Sequence, residues 1–421
     1  MNMIERGRRF VQRMREMGNR SVWEWCQCTH CGSTLTIKHG GYYRRPWTLT
    51  GRREVRIQRH LCKECGKTYS ETMPWLVRGS WYAREVHRSA VDHWVYVGSS
   101  FRRIASVLRS WMGQQERWLL WQVMAREDES RERCYLSSST VHRWVGGAGK
   151  KAQEGIQDQW EDVENSGQFG TDGLWARLRG GAKRVLLLLV DTATGVVWTI
   201  HVAAEETSAK AWEQLFRCAK RAGLSWRDLD SVVSDGAQGL LSFLRRLLGR
   251  VHHQRCVWHF WRGIAGDIAK VAAGAEEGTR EQVRKDVKKL LHAVIDAASY
   301  QAAEEAMQRL SAYPGTAQLA QKVNEQLDRL LYHLLPGHEG LVRISPEWLW
   351  RDFRLRLSHG RNHGSHERLE QAGALWMVYH NFTPAQWRSE RKRKYKHPGL
   401  SPLQVAGAAP GEISYLDALE V

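Results

Sequence analysis

The chain has 421 residues, with 63 Lys+Arg against 45 Asp+Glu and a formal net charge of +18 at pH 7. Its 42% hydrophobic and 26% charged content describes a folded chain, not a disordered or collagenous one, and its length allows two or three cores. The longest apolar run, Val185 to Val190, is only strand-length, which excludes a spanning helix, and Met1 to Arg20 lacks the apolar stretch of a secretory signal. The expectation is an intracellular protein without a membrane partner.

Charge is unevenly spread. Residues 1–150 hold 27 Lys+Arg and 13 Asp+Glu, whereas the other 271 residues hold 36 and 32. A basic front end on a near-neutral body predicts a nucleic-acid-binding module joined to something else. Residues 1–20 read as a basic N-terminal segment.

Five of the eight cysteines lie between Cys26 and Cys65. Cys28-Thr-His-Cys31 and Cys62-Lys-Glu-Cys65 form two knuckles, each followed by a glycine (Gly32, Gly66) suited to positive φ. Four thiolates so spaced predict one structural Zn²⁺, and residues 21–80 read as a zinc ribbon around the alternating strand Glu54 to Leu61. Cys26 is left over, and His30 or His60 replacing a cysteine is the alternative. Residues 81–149 read as helical. Ser99 to Leu108 and Ser137 to Val145 each begin with a hydroxyl cap, and together resemble a helix-turn-helix, although 28 residues separate Leu108 from Ser137. In that reading Ser138, Thr140, His142 and Arg143 contact DNA; two ordinary core helices are the alternative. Gly146-Gly147-Ala148-Gly149 reads as a linker.

Beyond it the texture alternates. Gln168 to Leu178, Arg184 to Val190 and Val196 to Val202 read as an antiparallel meander, Ser208 to Ala222 as a helix, and Leu229 to Asp235 as a fourth strand. A helix through Leu240 to Leu248 and a short strand Val251 to Val257 follow, then an unbroken helical stretch from about 260 to 335. This order is that of an α/β ribonuclease H-like core, predicted over 160–259 and 346–385 with a helical insertion at 260–345. In such a core an acid sits on the first strand and another just after the fourth; Asp172 and Asp235 occupy those places, each followed by glycine (Gly173, Gly236). Clustered carboxylates suit two Mg²⁺ or Mn²⁺ ions about 3.5–4 Å apart, which promote in-line phosphodiester displacement.

The run Val232 to Leu240 followed by Gln254-Arg255-Cys256-Val257-Trp258-His259 resembles the Mutator-like DDE transposases, including bacterial insertion-sequence enzymes. The resemblance extends over about 160–410. It implies Asp172, Asp235 and Glu367 as catalytic metal ligands, Glu367 following the turn Arg361 to Ser365, which departs from the family's Asn-rich string. Ser365 independently predicts a helix start with Glu367 in its first turn, where the dipole favours a carboxylate; Glu370 and Asp352 compete for the role. Cys256, Trp258 and His259 fall in the active-site neighbourhood. The basic run Arg388 to Lys396, with Arg391, Lys392 and Arg393, opens a tail (386–421) that contacts phosphates or is merely solvated. The reading is a cytoplasmic, nucleoid-associated transposase that binds terminal inverted repeats in double-stranded DNA. It cleaves a phosphodiester with water activated by the ions and then transfers the freed strand to target DNA, acting as a homodimer or higher oligomer. A zinc-ribbon DNA-binding regulator derived from a transposase, or another ribonuclease H-like nuclease, are the alternatives.

Overall fold

The computed structural model describes residues 2–19, 27–113, 135–155, 160, 163–247, 249–338, 341–359, 364–384, 397, 399–408, 410–411 and 413–421. In chain order it begins with α1 (Met3–Asn19), then strands β1 (Thr36–Arg44), β2 (Trp47–Thr48), β3 (Gly51–Arg52), β4 (Val55–Cys62) and β5 (Thr68–Ser70). Helices α2 (Arg84–Val95), α3 (Phe101–Trp111) and α4 (Ser138–Glu154) follow. Next come β6 (Gln168–Arg177), β7 (Lys183–Asp191), β8 (Val197–Ala203), α5 (Ala209–Arg221), β9 (Ser231–Ser234), α6 (Gln238–Leu247) and β10 (His252–Arg255). The remainder is helical: α7 (Val257–Ala273), α8 (Arg280–Ile295), α9 (Tyr300–Ala312), α10 (Ala317–Asn324), α11 (Leu327–Leu330), α12 (Glu347–His359), α13 (His366–Phe382), α14 (Pro402–Val405) and α15 (Tyr415–Ala418). Among the described residues no helix is long and apolar enough to cross a membrane. The chain is a mixed α/β protein of two units, one comprising Met1–Gln159, Phe353–Thr383 and Ala409–Val421, the other Trp160–Asp352 and Pro384–Ala408.

In the first unit, β1, β4 and β5 form a three-stranded antiparallel sheet. The β1–β4 register slips between Lys38 and Gly41, where a Cβ on Gly41 would meet the Ile57 carbonyl at 2.9 Å. Ser100 and Ser137 cap α3 and α4, accepting from the Arg103 and Thr140 backbone N–H groups as their hydroxyls predict. Gly146 to Gly149 is not a linker. It lies inside α4, where one of its glycines, Gly149, lets α4 approach α13: a Cβ there would stand 2.7 Å from the Gln371 carbonyl oxygen, whereas Gly146 and Gly147 have nothing within 4 Å. That packing also groups Phe353–Thr383 with the front of the chain, so the segment 346–385, expected as one piece of the core, is divided between the units.

The second unit is built on a five-stranded sheet of order β10-β9-β6-β7-β8. β6, β7 and β8 are the expected antiparallel meander, a buried Val/Leu run on β7 forming its middle. β9 pairs parallel with β6, from Gln168↔Ser231 to Gly170↔Val233, and β10 pairs parallel with β9. Ser208 caps α5, whose Trp212, Leu215, Phe216 and Ala219 are buried. The fifth strand ends at Arg255, short of its expected end at Val257, because Cys256 already stands at the cap position of α7. Helices α7 to α11 enclose their own apolar cluster, including Phe260, Ile264, Leu291, Met307, Leu310 and Leu330.

Candidate functional site

The β6–β9 pairing stops at Gly170↔Val233. Asp172 and Asp235 each lie two residues beyond that last pair, at equal height on neighbouring parallel strands and where the strands part. Asp235 Oδ1 accepts from the Ala237 backbone N–H at 2.9 Å, and Ser234 Oγ accepts from the Gly236 N–H at 3.0 Å, which fixes the turn. The glycines after the two aspartates have separate reasons. Gly173 leaves room for Glu206, whose Oε2 would be 2.7 Å from an added Cβ; Gly236 adopts φ +79° and lies against the Arg255 guanidinium.

Asp172 is 3% exposed, and its Oδ2 has no hydrogen-bond partner among the described residues. Burial, the hydrogen-bonded Glu347 carboxyl and the Asp235 charge together push its carboxyl up to about 9. Asp191, equally buried, is the contrast. Its two oxygens accept from the Ser166 N–H and Oγ and from the Ala193 and Thr194 N–H groups at 2.6–2.9 Å, which makes it a turn-forming residue. A buried carboxyl with one oxygen free of donors and a second carboxyl against it is a pair whose charge a cation would neutralise. One ligand atom each from Asp172, Glu347 and His259 all lie within 4.8 Å of one another, a set that a divalent cation would complete.

Glu347, which the structure brings to Asp172, was not among the residues singled out in the sequence. It begins α12, directly after Pro346, while Ser345 and Pro346 are buried. The signal was present: Ser-Pro-Glu is a helix start, with proline permitted in the first turn and an acid favoured there. Glu367 lies on the exposed first turn of α13, where its Oε1 accepts from the Gln371 side-chain amide at 3.1 Å. Ser365 caps that helix as expected, so the local prediction held. Glu370 accepts from the Gln153 side chain at 3.2 Å. Glu206 is a further carboxylate near the site, hydrogen-bonded by Trp175 Nε1 at 3.3 Å and raised by burial, with Asp235 adding to the rise.

Cys256 and His259 are drawn together by α7. The buried Cys256 Sγ accepts from the Ser345 backbone N–H at 3.2 Å, and His259 Nδ1 lies 3.2 Å from Ser345 Oγ. Burial opposes the thiolate, but the hydrogen bonds from His259 and Ser345 prevail and hold the thiol at about 7. Trp258 is 41% exposed, with the Arg262 guanidinium 5.2 Å from its ring centre.

The four cysteines of the front unit also converge. The sulfurs of Cys28, Cys31, Cys62 and Cys65 lie within 4.8 Å of one another, the pairs Cys28–Cys65 and Cys31–Cys62 being 3.6 Å apart. Each knuckle closes as its glycine predicts, Gly32 (φ +75°) donating to the Cys28 carbonyl and Gly66 (φ +67°) to that of Cys62. The Cys65 N–H pulls the Cys62 thiol down, against the opposing pull of burial, to about 7. The cluster is compatible with a zinc ribbon. His60 is engaged elsewhere, 3.3 Å from Glu71 and stacked on Tyr69. Cys26 lies outside the described residues, as do Arg391, Lys392 and Arg393. Of the expected DNA-contacting residues, Arg143 is exposed and reaches Thr140 Oγ1 at 3.3 Å; Ser138 is half-buried, and His142 packs on Phe101 with its ring near Arg368.

A sheet that carries one carboxylate mid-strand and another just past the end of its parallel neighbour defines a class of α/β site suited to cations. Residues 171–338 match the family described as Transposase, Mutator family. No curated protein matches the chain.

Proposed function

We propose that the chain is a DDE-type DNA transposase whose acidic set is Asp172, Asp235 and Glu347. The observation that carries this is the meeting of Asp172 and Glu347 beside Asp235, within a unit that contains the Mutator-family segment. The strand order β10-β9-β6-β7-β8 favours a ribonuclease H-like core, with α7 to α11 inserted between the second and third acids.

A pair of Mg²⁺ or Mn²⁺ ions held there would supply the positive charge that an in-line displacement needs on its attacking and leaving oxygens. The chain's own residues supply placement. β6 and β9 hold the two aspartates at one height, and the rigid start of α12 brings Glu347 to them. Burial of Asp172 keeps competing water off its bare oxygen. The front unit, with one Zn²⁺ on its four cysteines and the basic surplus of residues 1–150, binds double-stranded DNA at the transposon ends, α3 and α4 serving as a helix-turn-helix-like pair. Bringing two ends together calls for at least a homodimer. Glu367 has no part in this acidic set.

The test is nicking of transposon-end DNA by the full chain with Mg²⁺. Asp172→Asn, Asp235→Asn and Glu347→Gln are each expected to abolish it with DNA binding retained. Undiminished cleavage by Asp235→Asn would end the proposal.

A further inference from the structure

Glu347 lies 112 positions beyond Asp235 in the sequence, with the six α-helices α6 to α11 between them among the described residues, so something must return the chain to the sheet. Three hydrogen bonds do so, all from the first turn of α7. The Arg343 carbonyl accepts from the Val257 N–H at 2.9 Å, the Ser345 N–H donates to Cys256 Sγ at 3.2 Å, and Ser345 Oγ meets His259 Nδ1 at 3.2 Å. Ser345 is fully buried, and Glu347 follows it by two residues. Gln254 performs the same office one step earlier: its amide donates to the Leu330 carbonyl and accepts from the His333 N–H, tying the end of the helical cluster to β10. Together Gln254, Cys256 and His259 fasten the returning chain at successive points.

We infer that Cys256 and His259 are positioning residues: through Ser345 they hold the chain so that Glu347 meets Asp172. The inference rests on the acidic set proposed above. A buried thiol is suited to the task because Sγ accepts a backbone N–H inside an apolar core while remaining compact. The Ser345 bond to His259 Nδ1 also orients the imidazole, whose ring offers a nitrogen within 4.8 Å of both carboxylates.

The experiment measures Mn²⁺ binding to the full chain by electron paramagnetic resonance, and in parallel the Mn²⁺ concentration for half-maximal nicking. Cys256→Ala should weaken Mn²⁺ binding and raise the half-maximal concentration by about 10–100-fold, the usual cost of removing a residue that orients a ligand. Cys256→Ser, which keeps an acceptor for the Ser345 N–H, should recover most of the loss. Ser345→Ala should shift both readouts in the same direction as Cys256→Ala. If Cys256→Ala fails to fold, Ser345→Ala and Cys256→Ser decide the matter: a folded Ser345→Ala with unchanged Mn²⁺ readouts overturns the inference. So does a Cys256→Ser variant as impaired as Cys256→Ala. Asp235→Asn and Glu347→Gln run alongside separate the two failures. If they lose Mn²⁺ binding and nicking while the Cys256 and Ser345 variants do not, only the positioning role falls; if they behave as wild type, the acidic set falls first.

Discussion

Gly170 and Pro346 are in close contact. A Cβ built on Gly170 would stand 3.0 Å from Pro346 Cδ and 3.2 Å from Thr192 Cγ2, and Pro346 is the residue before Glu347. The proline ring has little freedom to yield, so the chain carrying Glu347 must move instead. Gly170→Ala should therefore lower metal-dependent nicking several-fold at a stability cost of about 1 kcal/mol, the low end for overpacking. Denaturant unfolding and nicking rates together check this, and a variant as active as the parent would show that Pro346 has slack.

Glu347→Gln and Glu367→Gln form the sharpest pair of substitutions. Each removes one charge and keeps the side chain's length. The first lies against Asp172; the second replaces an exposed carboxylate that accepts from Gln371 on its own helix. Glu347→Gln should abolish cleavage, while Glu367→Gln should leave it and cost at most a few tenths of a kcal/mol of helix stability. The reverse result would restore Glu367 to the acidic set.

The proximity of Asp172 and Asp235 was legible because strand pattern and Asp-Gly punctuation are local, and parallel register then sets both at one height. The approach of Glu347 to Asp172 was not, since it depends on contacts far apart in sequence, such as Ser345 with Cys256, 89 residues away. Two helix starts, one after Pro346 and one capped by Ser365, each carry an acid in the first turn, and only tertiary packing separates them. Gly146 to Gly149 misled for a related reason. Glycines are read as flexible, but at Gly149 the lack of a side chain permits close packing against Gln371.

Acid should weaken the front unit through His87. Its ring stacks on Trp144 with centroids 3.9 Å apart, and Nε2 is 2.9 Å from Ser80 Oγ. Burial, with Arg84 and Lys151 nearby, pulls it from 6.5 down to about 4. Between those values the unfolded chain takes up a proton that the folded chain refuses, so stability falls as pH drops from 6.5 toward 4. At about 1.4 kcal/mol per pKa unit the loss approaches 3 kcal/mol. His253, held near 3 by burial, adds a slope of its own in the other unit. Melting wild type and His87→Gln at pH 7.5 and 4.5 isolates the term, since the variant should lose less on acidification. Equal losses would mean that His87 titrates freely.

With zinc on its four cysteines, the sheet β1-β4-β5 would depend on that ion for its stability. Its small cluster consists of Cys28, Cys62 and Tyr69, with Cys65 packed alongside, and the seven interior positions of β1 are all exposed. So small an apolar cluster does not offset the entropy of ordering the chain, and two of its three buried members are themselves thiols. Bound zinc would contribute its binding free energy directly to folding, and removing it withdraws that energy. Chelation should therefore release one zinc per chain and expose the Ile57 and Leu61 amides of β4 to hydrogen exchange. The amides of Leu186 to Leu189 in β7, buried in a sheet without metal-dependent packing, should keep their protection. A Cys31→Ser substitution should reproduce the pattern without chelator. Continued protection of the β4 amides in metal-free protein would mean that the four cysteines are held by the fold and do not hold it.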